Sequence, residues 1–406
     1  MVKNDLVVTV PSFFRCPISL DVMKSPVSLC TGVTYDRSSI QTWLDNGNNT
    51  CPATMQPLQS KDLIPNSTLH RLILSWDSHP HHRALSLLSA LKRSFSLASF
   101  LDSLEKIADF LLDSEKEDRG FLIDAGCVGA VLGLVADGCA EDLQVAEGVV
   151  RVLRLVLVEK RDAVKKGAAS VEELNRLAGA VALVLEKGGL DSKADAAKVL
   201  EVFVAMEDNS ELGFPAVCFR PIAEREAGLS RLFGLMCAEG NSRAIEAGLS
   251  CLIVVAGRRK MRSPVVRLGI VPVLGRLLLS GASDGAVVEK ALKMLETAST
   301  CPDGRRAICD DNECIAAIVQ RMLKVSSAGT ERAVVVLWSL CHLFRDQKAQ
   351  DAVIRTNGLT KILLLMQSDC SPAVRQMARD LVKIFKVNSK SCLSGYDTKT
   401  THIMPF

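Results

Sequence analysis

Cys16, Cys30, Cys51 and His70 are residue types that bind zinc, and they stand within one short stretch of this 406-residue chain. Structural zinc sites use closely paired ligands, typically Cys-x₂₋₄-Cys, and two four-coordinate sites need about eight of them. Here each cysteine stands alone, and none of the 14 in the chain forms a Cys-x-x-Cys pair. The spacing therefore predicts no metal centre and no cofactor. The second chemistry to weigh is a cysteine nucleophile, Cys16 or Cys51. That requires a depressed pKa and usually a partner histidine. His70 shows no tie to either thiol, so buried structural cysteines are the expectation and no catalytic side chain is assigned. The tract His79, His81, His82 reads as an exposed linker before it reads as a metal site. Arg258-Arg259-Lys260-Met261-Arg262 is a basic cluster. It fits a nuclear localisation signal, a site for an acidic partner, or a solvated loop between helices. Gly120, Gly126, Gly129 and Gly133 make no dinucleotide fingerprint, because no strand precedes them.

Such groups need elements to position them. Hydrophobic residues make up 48% of the chain and aromatics only 4%. That bias favours helix-on-helix packing over a β-sandwich. Lys plus Arg is 49 against 46 Asp plus Glu, a net charge of +3. The balance leaves no electrostatic footprint for nucleic acid. Met1 to Val10 has no apolar core or cleavage-like site, so it is not read as a signal peptide. The expected setting is reducing: cytoplasmic, with the nucleus also open, and without a disulfide framework. No apolar run suits membrane insertion.

Composition shifts near residue 78. Before it, six prolines from Pro11 to Pro65 punctuate mixed strand and helix signals. Val27 to Tyr35 reads as two short strands turning at Thr31-Gly32. Asp36 is placed to N-cap a helix carrying Ile40, Trp43 and Leu44. Asn66 or Ser67 caps a second, whose Leu69, Leu72, Ile73 and Trp76 share one face.

After it the apolar template i, i+3, i+4, i+7 recurs. Its lead residues are Val149, Ala196, Ile245, Val288, Val334 and Val374. Their spacing of about 40–49 residues suits HEAT and armadillo units. The copy at Ile245/Gly248/Leu249/Leu252 is the weakest. Gly126, Gly269 and Gly358 each open an apolar run and are placed to end a helix in a left-handed cap. Units too small to bury their own stripes must stack, which predicts a solenoid. The expected division is therefore 9–78 for a small α+β domain, 79–92 for a linker and the start of the helical region, 93–387 for the repeats, and 388–406 for a flexible tail.

The segment from Pro11 to Trp76 resembles a U-box. The resemblance rests on Cys16-Pro17-Ile18-Ser19, Pro26-Val27, Gly32, Tyr35, Trp43-Leu44, Thr50-Cys51-Pro52, Gln56, Pro65-Asn66 and Trp76, among others. With the repeats behind it, the whole chain resembles plant U-box ubiquitin ligases that carry armadillo repeats. The implied fold is mostly α, a small α+β U-box followed by an armadillo-like α-solenoid. The implied activity is that of an E3 ubiquitin transferase. The U-box recruits an E2 charged with ubiquitin, the repeats hold a protein substrate, and acceleration comes from proximity and orientation without a covalent intermediate on the ligase.

The resemblance places the E2-binding groove at Ile18 and Leu20, Trp43 and Pro52. Trp43 either completes the core or shows one apolar edge to the groove. Many related domains carry Arg or Lys where this chain has Met55, and methionine cannot donate the hydrogen bonds that such a residue makes to E2 and ubiquitin. That departure favours the rival reading of a non-catalytic interaction scaffold using the armadillo groove. Family analogy also suggests a role in plant stress or immune signalling, and it admits a homodimer, although no separate coiled coil is present.

Overall fold

In the computed structural model of the chain, the described residues are 10–77, 79–94, 96–136, 142–161, 163, 170–208, 219–280 and 285–393. They fall into two compact units, Met1–Leu134 with Leu155–Ala169, and Val135–Arg154 with Ser170–Phe406.

The hairpin forms where the turn residues allow it. Strands β1 (Pro26–Ser28) and β2 (Thr34–Asp36) pair antiparallel with Val27 opposite Tyr35. Gly32 takes φ +81° in the turn and donates its N–H to Leu29 O at 2.9 Å. Glycine reaches this left-handed region without the clash a Cβ brings. A third strand, β3 (Ile64–Pro65), pairs with the far edge of β1, giving the order β2-β1-β3. It was not anticipated, because a two-residue strand ending in proline carries no periodicity.

Helix α1 (Arg37–Asp45) buries Ile40 and Leu44. Its expected cap is a correction. Asp36 sits at the N-cap position but makes no capping bond with its side chain. Its Oδ1 instead accepts the N–H groups of Lys24 and Ser25, each at 2.8 Å. Helix α2 (Ser67–Asp77) starts from Asn66, whose Oδ1 accepts Leu69 N–H at 3.0 Å. Of its expected apolar face, Ile73 is buried and Leu69 and Trp76 are half-buried, but Leu72 is 52% exposed.

The histidine tract is helix, not linker. Helix α3 (Pro80–Lys92) begins there, with Pro80 in the first turn, where a missing N–H costs nothing. His79 caps it by accepting His81 N–H. His82 lies 3.9 Å from the Trp76 ring, and His81 stacks on Phe121 at 3.9 Å. Sequence pattern alone could not show that these imidazoles pack against aromatic rings.

The helical series continues with α4 (Leu97–Asp113), α5 (Lys116–Leu122), α6 (Val128–Ala136), α7 (Leu143–Glu159), α8 (Val171–Lys187) and α9 (Leu190–Asp208). From there it becomes regular triplets. The first is α10 (Arg220–Glu224), α11 (Glu226–Met236) and α12 (Ser242–Gly257). Next come α13 (Arg262–Arg267), α14 (Ile270–Leu279) and α15 (Gly285–Ser299), then α16 (Pro302–Asp310), α17 (Asn312–Arg321) and α18 (Ser327–Trp338). The last is α19 (Gln347–Arg355), α20 (Gly358–Gln367) and α21 (Pro372–Leu393). The final helix thus runs past residue 387, and the remainder of the expected tail lies outside the described residues.

The templates led by Ile245, Val288, Val334 and Val374 fall on the third helix of each triplet, those led by Val149 and Ala196 fall on α7 and α9, and the helices pack in series, α9 on α12, α12 on α15, α15 on α18 and α18 on α21. Val149, Ala196, Val288, Val334 and Val374 are all buried. The weak copy has a steric cause. A Cβ on Gly248 would stand 2.7 Å from Leu232 O and 3.0 Å from Leu235 Cβ, so α11 and α12 approach too closely for a side chain. The left-handed caps occur at Gly126 (φ +101°) and Gly269 (φ +81°). In the third place the cap falls one residue early, on Asn357 (φ +57°), and Gly358 is needed because a Cβ there would meet Val353 Cγ1 at 2.3 Å.

Polar ties repeat with the same period. Arg321 donates to Ser280 O at 2.8 Å, and Lys361 donates to Val319 O at 2.9 Å. Acidic residues of the third helices lie between bases of their neighbours. Asp195 is held between Arg154 and Arg243, and Glu246 between Lys198 and Lys290.

Candidate functional site

The two loops expected to meet a partner have the same design. Cys16-Pro17-Ile18-Ser19-Leu20-Asp21 and Cys51-Pro52-Ala53-Thr54-Met55-Gln56 align residue for residue. Cys16 N–H donates to Asp21 O at 2.8 Å, and Leu20 N–H donates to Cys16 O at 2.8 Å. Cys51 N–H donates to Gln56 O, and Met55 N–H to Cys51 O, both again at 2.8 Å. Short bridges, Arg15 with Val22 and Thr50 with Pro57, close both loops at their base. The fifth residue of each is left-handed, Leu20 at φ +63° and Met55 at φ +60°. A residue with a Cβ pays roughly 1–2 kcal/mol for that conformation. Both side chains point to solvent, 65% and 69% exposed.

The cysteines turn inward and act as acceptors. In each loop the sulfur takes a hydrogen bond from its own loop hydroxyl, Ser19 or Thr54. Cys16 Sγ also accepts Asp36 N–H at 3.3 Å. Cys51 Sγ lies 3.0 Å from Tyr35 Oη and accepts from Thr31 Oγ1 at 3.3 Å. The Tyr35 hydroxyl in turn accepts Ala53 N–H at 3.0 Å. Both loops therefore hang on adjacent residues of β2, Tyr35 and Asp36.

Burial raises both thiol pKa values, but the converging donors outweigh it. Cys16 ends below the ordinary thiol value. Cys51 is brought down to about 6, against burial, by Thr31, Thr54 and Tyr35. Tyr35 is pushed well up, first by burial and then by its bond to Cys51, so it keeps its proton to give to the sulfur. Both cysteines are 0% exposed. Their sulfurs are taken up by donors of the loops and of β2, so each cysteine holds its loop in shape. Among the described residues, no group of three or more His, Cys, Asp and Glu is placed to hold a metal ion.

Trp43 is half-buried against this core, and its indole N–H donates to Thr50 O at 2.9 Å, fixing α1 to the second loop. Asn48 Nδ2 returns a bond to Trp43 O at 2.9 Å. Ile18 is 38% exposed, and Pro52 is half-buried beside Cys51. Tyr35, Thr31 and Thr54 were missed as site residues. The repeated Cys-Pro-x-Ser/Thr pattern was the available signal, because two loops of one design need a common anchor.

A family model of the U-box domain matches residues 10–81, and one of the plant U-box protein ARM repeat region matches residues 83–403. The chain belongs to the plant U-box proteins with ARM repeats. It is 44% identical to U-box domain-containing protein 28 of Arabidopsis thaliana, across 100% of both chains. It is 39% identical to U-box domain-containing protein 29 of the same plant, covering 100% of this chain and 99% of the other. At 24% identity it also matches E3 ubiquitin-protein ligase PUB23 of Arabidopsis thaliana, over 93% of each. This U-box protein thus joins an E3 ligase family domain to armadillo repeats, and none of its described helices is long and apolar enough to cross a membrane.

Proposed function

We propose that this plant U-box protein is an E3 ubiquitin ligase whose paired loops dock a ubiquitin-charged E2 while the repeats hold a protein substrate. The observation that carries the reading is the pair of like-built loops. Each turns its cysteine inward onto Tyr35 and Asp36 and presents apolar side chains, Ile18, Leu20 and Met55, to solvent. Apolar groups held out on rigid loops are the usual mark of a partner site. Trp43, tied to the second loop, supplies the flanking wall. No side chain here has to perform covalent chemistry. The loops orient the E2 thioester and the repeats bring up a lysine, so the rate gain is one of proximity.

Met55 supports a second reading. It stands where a donor to both E2 and ubiquitin is expected, and a thioether offers none. In that version the protein is a scaffold that binds without promoting transfer.

Ubiquitin chain formation with E1, ATP and a panel of E2s tests the two readings. Wild-type protein is expected to build chains that persist with a zinc chelator, and Ile18→Ala and Pro52→Ala are expected to abolish them. A folded wild-type protein that forms no chains with any E2 would establish the scaffold reading.

A further inference from the structure

The basic cluster at Arg258–Arg262 does not form an exposed, extended signal. Arg258 and Lys260 pair with Glu224, the latter at 3.0 Å. Arg262 is bound to Ala256 O, Gly257 O and, at 3.0 Å, Thr300 Oγ1. That last bond ties the cluster to the turn before α16, and α16 itself carries a second basic pair, Arg305 and Arg306. A third group follows at the start of α19, Arg345 and Lys348. The helices concerned, α13, α16 and α19, are the first helices of three successive units, and they pack in series. Bases therefore recur along one edge of the repeat array.

The acids on this edge are already engaged. Asp303 pairs with Arg267 at 3.4 Å, Asp310 pairs with Lys348 at 2.6 Å, and Asp346 caps α19 through Ala349 N–H at 2.9 Å. The side chains of Arg259, Arg306 and Arg345 are exposed and form no hydrogen bond or ion pair among the described residues, although Arg306 is near enough to Asp310 to help hold its carboxyl down. Arg345 also holds a left-handed backbone, φ +52°, which glycine adopts without the clash a Cβ brings. Between the second and third groups lies a cleft of about 410 Å³, lined by Arg305, Arg306, Asp310, Phe344, Asp346 and Lys348. Arg305 is fixed there, 3.6 Å over the Phe344 ring and bonded to Ser299 O. Phe344 and Leu343 remain 48% and 54% exposed beside it.

We infer that this edge docks an acidic, extended segment of a partner protein, with an apolar side chain placed against Leu343 and Phe344. Neighbouring helices pack about 8–10 Å apart, and an extended chain advances about 3.3 Å per residue. Bases on successive first helices thus match one acidic residue in about every three. Single bases separated by ion pairs already formed at Asp303 and Asp310 suit spaced carboxylates better than a continuous phosphate backbone, and Arg305 already occupies one face of the Phe344 ring. Spaced carboxylates fit where RNA and a lipid surface do not. In the ligase proposed above, this edge would select substrates, but peptide binding does not require ubiquitin transfer, so either idea can fail alone.

The test is fluorescence anisotropy of the full chain with a labelled twelve-residue peptide of repeating Glu-Leu-Ser. Saturable binding that weakens with salt is expected. The double variant Arg306→Glu with Arg345→Glu should weaken it about tenfold or more, and Lys187→Glu, on α8, should leave it unchanged. Arg345→Gly should weaken binding while holding or raising the unfolding temperature, a combination that a merely structural role for Arg345 does not give. Equal binding by the double variant and wild type would overturn the inference. So would binding of an oligouridine strand or of anionic phosphatidylserine vesicles at this edge with none of the peptide.

Discussion

Single groups decide how the U-box loops are held. Tyr35 is fully buried, and its hydroxyl serves Cys51 and Ala53 together. Tyr35→Phe leaves Ala53 N–H without its partner and Cys51 with Thr31 and Thr54 alone, and losing such a hydrogen bond costs about 1–3 kcal/mol. Urea unfolding should show that loss, with Cys51 becoming open to alkylation that native wild type resists. Asp36 gives a pH signature. Burial acts to raise its pKa, but the N–H groups of Ser25 and Lys24 and the Ser38 hydroxyl outweigh it and hold the carboxyl below 3.8. A depressed folded value adds stability that is complete above the unfolded pKa and is lost as pH falls through the folded one. The stability gap between wild type and Asp36→Asn should therefore be open at neutral pH and close as acid passes below pH 3.8. Met55 belongs to the same scale. Met55→Arg restores a donor at an exposed position, and it should speed ubiquitin discharge from a charged E2 without shifting the unfolding midpoint.

At the scale of elements, the repeats are held by close helix contacts. Gly248→Ala drives a Cβ into Leu232 O on α11. Forcing atoms into a packed contact costs about 1–3 kcal/mol, which thermal unfolding should register. Asn357 already accepts a left-handed turn that glycine takes without strain, so Asn357→Gly should cost little beside it. The contrast separates a glycine required for space from one required for conformation. Sequence spacing placed the left-handed cap of this unit on Gly358, because two adjacent residues can each satisfy a cap pattern. Only the backbone shows which one turns.

For the molecule as a whole, the ion pairs between units matter more than their number suggests. Asp195 is 4% exposed and lies between Arg154, at 2.6 Å, and Arg243. Burial pushes its pKa up against the pull of both arginines. Removing one member of a buried ionic group leaves the others uncompensated, at about 3–5 kcal/mol. Asp195→Ala should thus lower the unfolding midpoint sharply, while Lys106→Ala, which breaks the exposed pair with Asp102, should change it by less than about 0.5 kcal/mol.

The sequence by itself determined the order of the parts. Periodic burial is a local property, so the hairpin at Gly32, helices α1 and α2, and the third helix of each unit are legible from residue spacing. The U-box loops are legible as well, because Cys-Pro-x-Ser/Thr occurs twice. What only the tertiary structure decided depends on groups distant in the chain. It turned Asp36 from a helix cap into an acceptor for Lys24 and Ser25, joined Cys51 to Tyr35, and set His82 against Trp76. It also spent part of the basic cluster on Glu224 while leaving Arg306 and Arg345 open beside Phe344. Hydrogen bonds and ion pairs act over a few ångströms of space, whatever the separation along the chain, and no pattern in a window of sequence records them.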